Sequence, residues 1–328
     1  MITVREPAIA DSAEIESVFY ESKMENFIDT LPPELLKMAK GLGMNNIMKD
    51  MARLNYDDVV AGSVESFLDH RNRCMIMEEN GKIIGYCLAS TEIVNNFGKY
   101  KLIIGIGDIY IRKKHRRKGL GSKLLKDFID YMNKHEECSI ISVLIDEQYN
   151  TVNAKLFEKN GFILEKLGYK LKLGNRKYNV GHTVRSAVPS DYQGYAKLMI
   201  DMYESFISFD ENIYNGTEVV FSERYYLEEL REPNCFHIVC EIDNDIAGIC
   251  MFRSEENCID IHTVSVAENY VKRGVATSLY HSVFNFAQKR GYSEIIAVVF
   301  AQNEASCKFH EHMMMRPSKH RYIYKISG

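Results

Sequence analysis

The sequence predicts an α/β protein of two domains in tandem, each with a twisted, mixed, mostly antiparallel sheet that is flanked by helices. The first observation behind this prediction is length: 328 residues suffice for two domains that each bury a core. The second is a basic, glycine-containing turn that occurs twice, as Arg-Arg-Lys-Gly-Leu-Gly at 116–121 and as Val-Lys-Arg-Gly-Val-Ala at 271–276. The third is that the elements around each turn recur in the same order.

The elements that precede the turn recur first. Thr-Val-Arg at 3–5 and again at 183–185 predicts a strand, and an aspartate six residues after each arginine is suited to cap a helix. Short polar turns within 79–85 and 242–248 each join two predicted strands. This order in both halves indicates a duplication.

The elements that follow the turn recur as well. An apolar strand leads into the turn at 106–111 and 259–266, and an amphipathic helix leads out of it toward a further strand at 139–145 and 294–300. Another helix then begins at an asparagine, 31 residues after the first glycine of the turn in one half and 29 in the other. A repeat of this size corresponds to a domain rather than to a solenoid unit.

The polar, glycine-flanked segment 173–182 sets the predicted boundary, with an N-terminal domain at 1–175 and a C-terminal domain at 176–328. The halves differ most near their starts, where the first half is longer. Segments that vary between copies are candidates for acceptor recognition, and a plain helical cover of the sheet is the alternative.

Composition narrows the function class. A net charge of −4 argues against a general nucleic-acid binder, and no apolar run is long enough to span a bilayer. The eight cysteines form no Cys-x-x-Cys pair, which is typical of a reducing cytoplasm, and the ten histidines show no metal-ligand spacing. We therefore expect a cytoplasmic protein without a metal, a membrane contact or a nucleic-acid partner.

The repeated turn suits an anion. Glycine allows backbone conformations that other residues resist, and it leaves nothing projecting toward a ligand. The free N–H groups at the start of the following helix point into that space, with the positive end of the helix dipole behind them. Each turn is thus a predicted phosphate or diphosphate site.

In order, each half has a strand, an Arg-x-x-Gly-x-Gly-like turn, a helix, a strand and an asparagine-led helix, which in the first half reads Asn-x-x-x-Ala-x-x-Phe-x-x-x-Gly-Phe. This order resembles the GCN5-related N-acetyltransferase (GNAT) superfamily, and the resemblance runs over the chain twice. It implies two tandem GNAT domains, laid out as in mycothiol synthase, that use acetyl-CoA. The acetyl group would pass to an amine by direct attack.

The resemblance also implies the residues that bind CoA. Main-chain N–H groups of the turn would bind the diphosphate, and the splayed strand before it would pair with the pantetheine. In the first half these residues are Ile109, Ile111, Arg116, Arg117, Lys118, Gly119, Leu120, Gly121, Ser122 and Asn150. In the second half they are Val264, Val266, Lys272, Arg273, Gly274, Val275, Ala276, Thr277 and Asn303.

Catalysis of this kind needs a base for the incoming ammonium group. Many relatives place an acidic residue on the strand before the turn, a location held here by Asp108 in the first half and by His262 in the second. Asp108 is equally well explained as a strand-end carboxylate that accepts main-chain hydrogen bonds. His262 has packing and hydrogen bonding as its alternative.

Two departures from the family pattern concern the general acid. Where relatives have a tyrosine that protonates the leaving thiolate, the first half has Phe157 and the second has His310, so His310 is the candidate acid. The second turn also begins with Val271 where arginine or glutamine is usual. The first half is therefore the more secure cofactor site, and the catalytic half stays open.

The seven basic residues at 112–118 lie directly before the first turn. We interpret them as an electrostatic attractor for CoA phosphates, with a solvated loop and nucleic-acid contact as the alternatives.

The predicted function is acetyl-CoA-dependent N-acetylation of a small molecule or peptide amine by a monomer or homodimer. Three alternatives remain. One is a CoA-binding, structural or sensing protein with one or both halves catalytically silent. Another is a doubled aminoacyl- or acyltransferase, which usually lacks so clear a phosphate turn. The third is transfer to a hydroxyl group or of a longer acyl chain.

Overall fold

The fold is given by a computed structural model, which describes residues 1–30, 34, 37, 72–96, 99–135, 138–146, 150–209 and 221–326. Most of the long segment at 31–71, which differs between the halves, lies outside these residues.

The first half alternates strands and helices as the sequence predicts. Its described elements are β1 (Ile2–Arg5), α1 (Ser12–Thr30), β2 (Asn72–Glu79), β3 (Lys82–Asn96), β4 (Lys99–Ile111), α2 (Leu120–His135), β5 (Ile140–Asp146), α3 (Asn150–Lys159) and β6 (Ile163–Lys172).

The second half repeats the order. Its described elements are β7 (Thr183–Ser186), α4 (Tyr192–Phe209), α5 (Glu223–Glu229), β8 (Cys235–Ile242), β9 (Asp245–Ser254), β10 (Cys258–Val266), α6 (Val275–Arg290), β11 (Glu294–Phe300), α7 (Glu304–His312) and β12 (Arg316–Lys325). The predicted fold class is confirmed.

The described strands form one sheet of twelve, in the order β1-β2-β3-β4-β5-β12-β6-β11-β10-β9-β8-β7. The pairs are antiparallel except β4 with β5 and β10 with β11, which are the parallel pairs that a helix-containing crossover produces. The sheet therefore runs through both halves without a break.

The two halves exchange their last strands. β12, the last strand of the second half, lies between β5 and β6, and β6 in turn pairs with β11 of the second half. The sequence analysis does not predict this exchange, because nothing in a strand's own pattern says which edge it joins. The boundary between residues 175 and 176 remains a proposal.

The helices cover the sheet with apolar faces. Helix α2 buries residues at helical spacing, and α6 does the same in the second half. The buried residues of α2 are Leu120, Leu124, Leu125, Phe128, Ile129 and Met132. Within the described residues no helix is both long and apolar enough to cross a membrane.

One ion-pair cluster occurs in both halves at the same place. Arg5 contacts Asp11 at 2.7 Å and Glu78 at 2.6 Å, and thereby ties β1 to the start of α1 and to β2. In the second half Arg185 contacts Asp191 and Glu241 in the same way. The shared cluster is structural support for the duplication.

Candidate active site

The two turns have the same backbone. Arg117 and Gly119 have φ angles of 60° and 78°, and Lys272 and Gly274 have φ angles of 62° and 83°. The left-handed conformation is energetically unfavourable for arginine and lysine. Its occurrence at the same two positions of both turns therefore indicates that the turn requires this backbone shape. Such a loop turns successive N–H groups toward one point, where an anion is stabilised.

What lies above each turn differs. At Gly119 no atom of the described residues lies within 4 Å of the point where a Cβ would be. At Gly274 the same point is 3.6 Å from Nε2 of His182, a side chain that sequence reasoning did not single out. His182 Nε2 donates a hydrogen bond to the carbonyl oxygen of Arg273 at 2.7 Å. Among the described residues, a side chain thus lies over the glycine of the second turn and none lies over that of the first.

His182 belongs to the linker between the halves. This linker runs along helix α6 toward the N-terminus of that helix. Gln288 donates to the carbonyl oxygen of Gly174, Asn285 donates to that of Tyr178 at 2.9 Å, and His281 donates to that of Asn179 at 2.6 Å. These successive contacts place the end of the linker, and with it His182, at the second turn.

Beside each turn the parallel strands separate. Pairing of β4 with β5 ends at Ile106 and Val143, and pairing of β10 with β11 ends at Ile261 and Ala297, although all four strands continue. The sequence resemblance implied this splay. An apolar side chain is exposed at the next position of the second strand in both halves; these side chains are Leu144 and Val298.

A β-bulge lies at the point of separation, and it corrects one alignment. In β4 the bulge residue is Gly107, and in β10 it is His262. The position that corresponds to Asp108 is therefore Thr263, which is buried, and not His262. Spacing along the sequence agrees, since Asp108 and Thr263 each lie 11 residues before the glycine of their turn. The predicted correspondence of His262 with Asp108 is therefore wrong by one residue.

Asp108 lies in a defined polar environment. Its Oδ2 accepts a hydrogen bond from Tyr86 at 2.8 Å and contacts Nζ of Lys23 at 3.0 Å. Burial raises the pKa of the Tyr86 hydroxyl well above its usual range, and the nearby Asp108 charge raises it further, so the phenol stays protonated and donates. Neither Lys23 nor Tyr86 was predicted from the sequence, because both lie far from Asp108 along the chain.

His262 is partly exposed, and its Nε2 lies 3.3 Å from Oδ2 of Asp260. It projects from the bulge at the splay of the second half.

Both ring nitrogens of His310 are hydrogen-bonded. Its Nδ1 donates to the carbonyl oxygen of Ser306, and its Nε2 accepts from the hydroxyl of Tyr280, both at 2.7 Å. The ring is buried and stacks on Tyr169, and burial lowers its pKa. These contacts favour a packing role, and the assignment of His310 as the acid stays a prediction. Phe157, its counterpart in the first half, is buried in the core.

Asn150 and Asn303 each lie at the start of a helix, but the structure describes the side chain of Asn303 alone. Asn303 caps helix α7, since its Oδ1 accepts from the main-chain N–H of Ser306 at 3.1 Å. Asn150 begins helix α3, but its side chain lies outside the described residues, so its predicted contact with CoA stays a prediction. Asn160, at the end of the same helix, donates to Ser122 at 3.1 Å and so supports the first turn.

The basic run before the first turn is partly neutralised by helix α1. Arg112 lies 3.4 Å from Glu21, and Arg116 pairs with Glu25. A cavity of 510 Å³ lies between α1 and this run. Its lining residues are Tyr20, Glu21, Met24, Glu25, Arg112, Lys113 and Lys114.

One group of side chains among the described residues has donor atoms close enough to hold a metal. Oxygen, sulfur and nitrogen atoms of Glu229, Cys235 and His237 all lie within 4.8 Å of one another. Nη2 of Arg253 contacts both carboxylate oxygens of Glu229 at 3.3 Å and already balances their charge. Burial raises the pKa of Cys235 to about 11 and lowers that of His237 to about 4, so both are neutral at pH 7. This group is best described as a buried polar network.

Comparison with known proteins gives the same picture for the fold. The model of the acetyltransferase (GNAT) family matches residues 44–162 and again residues 198–314, which together are more than half of the chain. A solved GCN5-related N-acetyltransferase from Sphaerobacter thermophilus has 16% sequence identity and a TM-score of 0.51, with 100% of this chain and 96% of that chain covered.

Two further similarities are more distant. A tandem GNAT protein from the clavulanic acid biosynthesis pathway has 10% identity and a TM-score of 0.42, with 82% of this chain and 88% of that chain covered. N-acetylaspartate synthetase of Xenopus tropicalis is 29% identical over 97 residues, which are 29% of this chain and 35% of that protein. The chain thus spans about a third of the curated relative that it matches.

Proposed function

Because the chain belongs to the acetyltransferase (GNAT) family, whose enzymes take an acetyl group from acetyl-CoA, we propose that its first half transfers that group to a primary amine of a small molecule or a peptide. The observation that carries the proposal is the first turn. The left-handed conformations of Arg117 and Gly119, with no atom of the described residues within 4 Å of a Cβ at Gly119, support a cradle for a diphosphate.

The residues of the first half fit the thioester carrier. Main-chain N–H groups within 117–122 would hold the diphosphate, with the N-terminus of helix α2 behind them. The separation of β4 from β5 after Ile106 leaves main-chain groups of Ile109 and Ile111 for the pantetheine, and Leu144 offers an apolar contact. Acetyl-CoA, when bound, supplies an activated carbonyl group and a thiolate as the leaving group.

Asp108 would act as the base for the acceptor ammonium. The carboxylate lies at the splay, one residue from the bulge, and Tyr86 fixes its orientation through a hydrogen bond to Oδ2. An ionised carboxylate next to an ammonium group can accept one of its protons, which frees the nitrogen lone pair to attack the carbonyl carbon. Placement of the two reactants would supply the larger part of the rate enhancement.

The second half would act as support, with its CoA turn closed. The position that corresponds to Asp108 is Thr263, which is no base near neutral pH, and His182 covers Gly274. His262 remains the candidate base if this half does turn over, since it is partly exposed at the splay. The two halves would then differ in that only the first gives CoA access to its turn.

The acceptor would enter beside helix α1, where the 510 Å³ cavity opens between the helix and the basic run. The curated relative is named for an N-acetylated amino acid, which supports a small amino compound as one acceptor class. All eight cysteines lie in the described residues and are free thiols, in keeping with a cytoplasmic location.

The test is release of free thiol from acetyl-CoA with a panel of amino acids, polyamines and short peptides, with product acetylation followed by mass spectrometry. Matched hydroxyl compounds and longer acyl-CoA thioesters distinguish the nitrogen acceptor and the acetyl donor. We expect thiol release that depends on a primary amine. CoA binding without transfer to any amine, at enzyme concentrations equal to substrate, would overturn the proposal and favour a silent CoA-binding protein.

A further inference from the structure

The structure places one of the chain's own amino groups at the proposed base. Lys23, on helix α1, has its Nζ 3.0 Å from Oδ2 of Asp108 on β4, although 85 residues separate them in sequence. The same oxygen accepts from Tyr86, so both neighbours converge on one atom. An ammonium group within hydrogen-bond reach of a base is the arrangement that an acceptor amine needs.

The position of the Lys23 amino group next to Asp108 is restricted by its surroundings. The Lys23 side chain is only 23% exposed, and its Nζ lies 4.7 Å from the centre of the Phe19 ring. An exposed lysine side chain samples many rotamers in solvent. The ion pair with Asp108 and the contact with the Phe19 ring restrict the Lys23 side chain to one position.

Space for a thioester adjoins this pair. Gly107 is the bulge residue next to Asp108, and among the described residues a Cβ at Gly107 would make only an ordinary contact, with the main-chain oxygen of Leu88 at 3.9 Å. The parallel pairing of β4 with β5 ends at Ile106, immediately before it. The splay between these strands and the lysine amine thus meet at Asp108.

We propose that Lys23 is an acceptor of the acetyl group within its own chain, so that the protein acetylates itself at this residue. The proposal rests on the proposed function, because it uses the same base and the same acetyl-CoA thioester. It adds a modification site that lies inside the catalytic cleft.

The transfer conserves atoms and charge. Asp108 takes one proton from the Lys23 ammonium, and the lone pair of Nζ then forms a bond to the thioester carbonyl carbon. As the carbon–sulfur bond breaks, Nζ loses its second proton, the CoA thiolate leaves and takes up that proton, and Asp108 returns its own proton to solvent. Lys23 becomes a neutral Nε-acetyl-lysine, and no oxidant or reductant is required.

Self-acetylation would change the base. The acetylated side chain carries no charge, so Asp108 loses its cationic neighbour and keeps the hydrogen bond from Tyr86. The modification would therefore let Asp108 pair with the ammonium group of an external amine in place of Lys23.

Lys308 offers a matched control. It also pairs with a carboxylate, that of Glu304 at 3.2 Å, but it is 75% exposed and lies on helix α7 of the second half. Chemical acetylation by an exposed thioester or anhydride favours the more exposed amine. Lys308 should therefore react first in any process that the enzyme does not direct.

The experiment compares the two lysines by peptide mass spectrometry in the full chain. With acetic anhydride and no CoA, we expect Lys23 to be labelled more slowly than Lys308, because Asp108 and Phe19 shield it. With acetyl-CoA the order should reverse, with Lys23 at least about tenfold faster than Lys308. Asp108→Asn should abolish the reversal, whereas Lys308→Arg should leave the rate of Lys23 acetylation unchanged.

Dilution shows whether the transfer occurs within one chain. The fraction of Lys23 acetylated per unit time should not depend on protein concentration. A rate that rises in proportion to concentration, or a Lys23 rate with acetyl-CoA no higher than that of Lys308, overturns the proposal. If external amines are still acetylated in that case, the proposed function survives; if they are not, it fails as well.

Discussion

His182 Nε2 donates a hydrogen bond to the carbonyl oxygen of Arg273. This contact distinguishes the second turn from the first, although the two turns have the same backbone conformation. The donor set of the second turn is formed, yet a side chain from the linker lies over its glycine. CoA binding should therefore occur at one turn in the intact chain.

Removal of this cover should expose the second site. In His182→Ala we expect the stoichiometry of CoA binding to rise from about one to about two per chain, since the α6 N-terminus becomes accessible to a diphosphate. Isothermal titration calorimetry measures this directly. Asn179→Ala, in which the main-chain contact with His281 is retained, is the control; unchanged stoichiometry in His182→Ala would show that another feature closes this half.

Gly119→Val should weaken CoA binding by at least about tenfold, because a β-branched residue disfavours the left-handed conformation and fills the open space. Gly121→Ala is the matched control. Its Cβ would lie 3.5 Å from Leu156, an ordinary contact, and the second half has Ala276 at this place. Calorimetry that found equal affinities for the two variants would contradict the assignment of the first turn.

Asp108→Asn should reduce acetyl transfer to an external amine by about 10²–10⁴-fold while CoA affinity stays within about threefold, since the base is lost and the turn is not. Steady-state rates and calorimetry separate the two effects. Asp127→Asn removes an exposed partner of Lys123 and should leave the rate unchanged. A fully active Asp108→Asn would leave the pair of Asp108 and Lys23 with a structural role alone.

Arg321 should be important for stability because it lies on the exchanged strand β12 and pairs with the buried Glu165 of β6 at 3.3 Å. Arg321→Leu should lower the free energy of unfolding by about 2–4 kcal/mol by leaving that carboxylate buried and uncompensated. Urea denaturation measures the change. Arg224→Leu, in an exposed pair, should have no measurable effect, and the double variant Arg321→Leu with Glu165→Leu should recover most of the loss.

Stability should fall between about pH 6.5 and pH 4 because burial lowers the pKa of His237 to about 4. Above that window the ring is neutral in both states and makes no difference. Within it the unfolded chain binds a proton that the folded chain does not, so protons favour unfolding. The total is about 3 kcal/mol for this group, and His237→Asn should flatten the pH dependence of urea denaturation accordingly.

The glycine turns illustrate what a sequence predicts well. The repeated Gly119 and Gly274 imply a backbone shape through local chemistry, and both take the left-handed conformation. The splay beyond Ile106 was implied by the family pattern and is present. These features depend on a few neighbouring residues.

The features that were missed depend on residues far apart in sequence. The mismatch of His262 with Asp108 is the exception, because counting back from the turn glycine already gives Thr263, as the matching bulges confirm. Lys23 reaches Asp108 across 85 residues, and His182 reaches Arg273 across 91. No periodicity or local spacing encodes such contacts.

The exchange of β6 and β12 bears on how the duplicated gene could have changed over time. Each copy supplies the strand that completes its neighbour, so a copy that lost its chemistry could not be deleted without exposing an edge of the other. Selection would thus retain a silent copy for its backbone while its surface drifted.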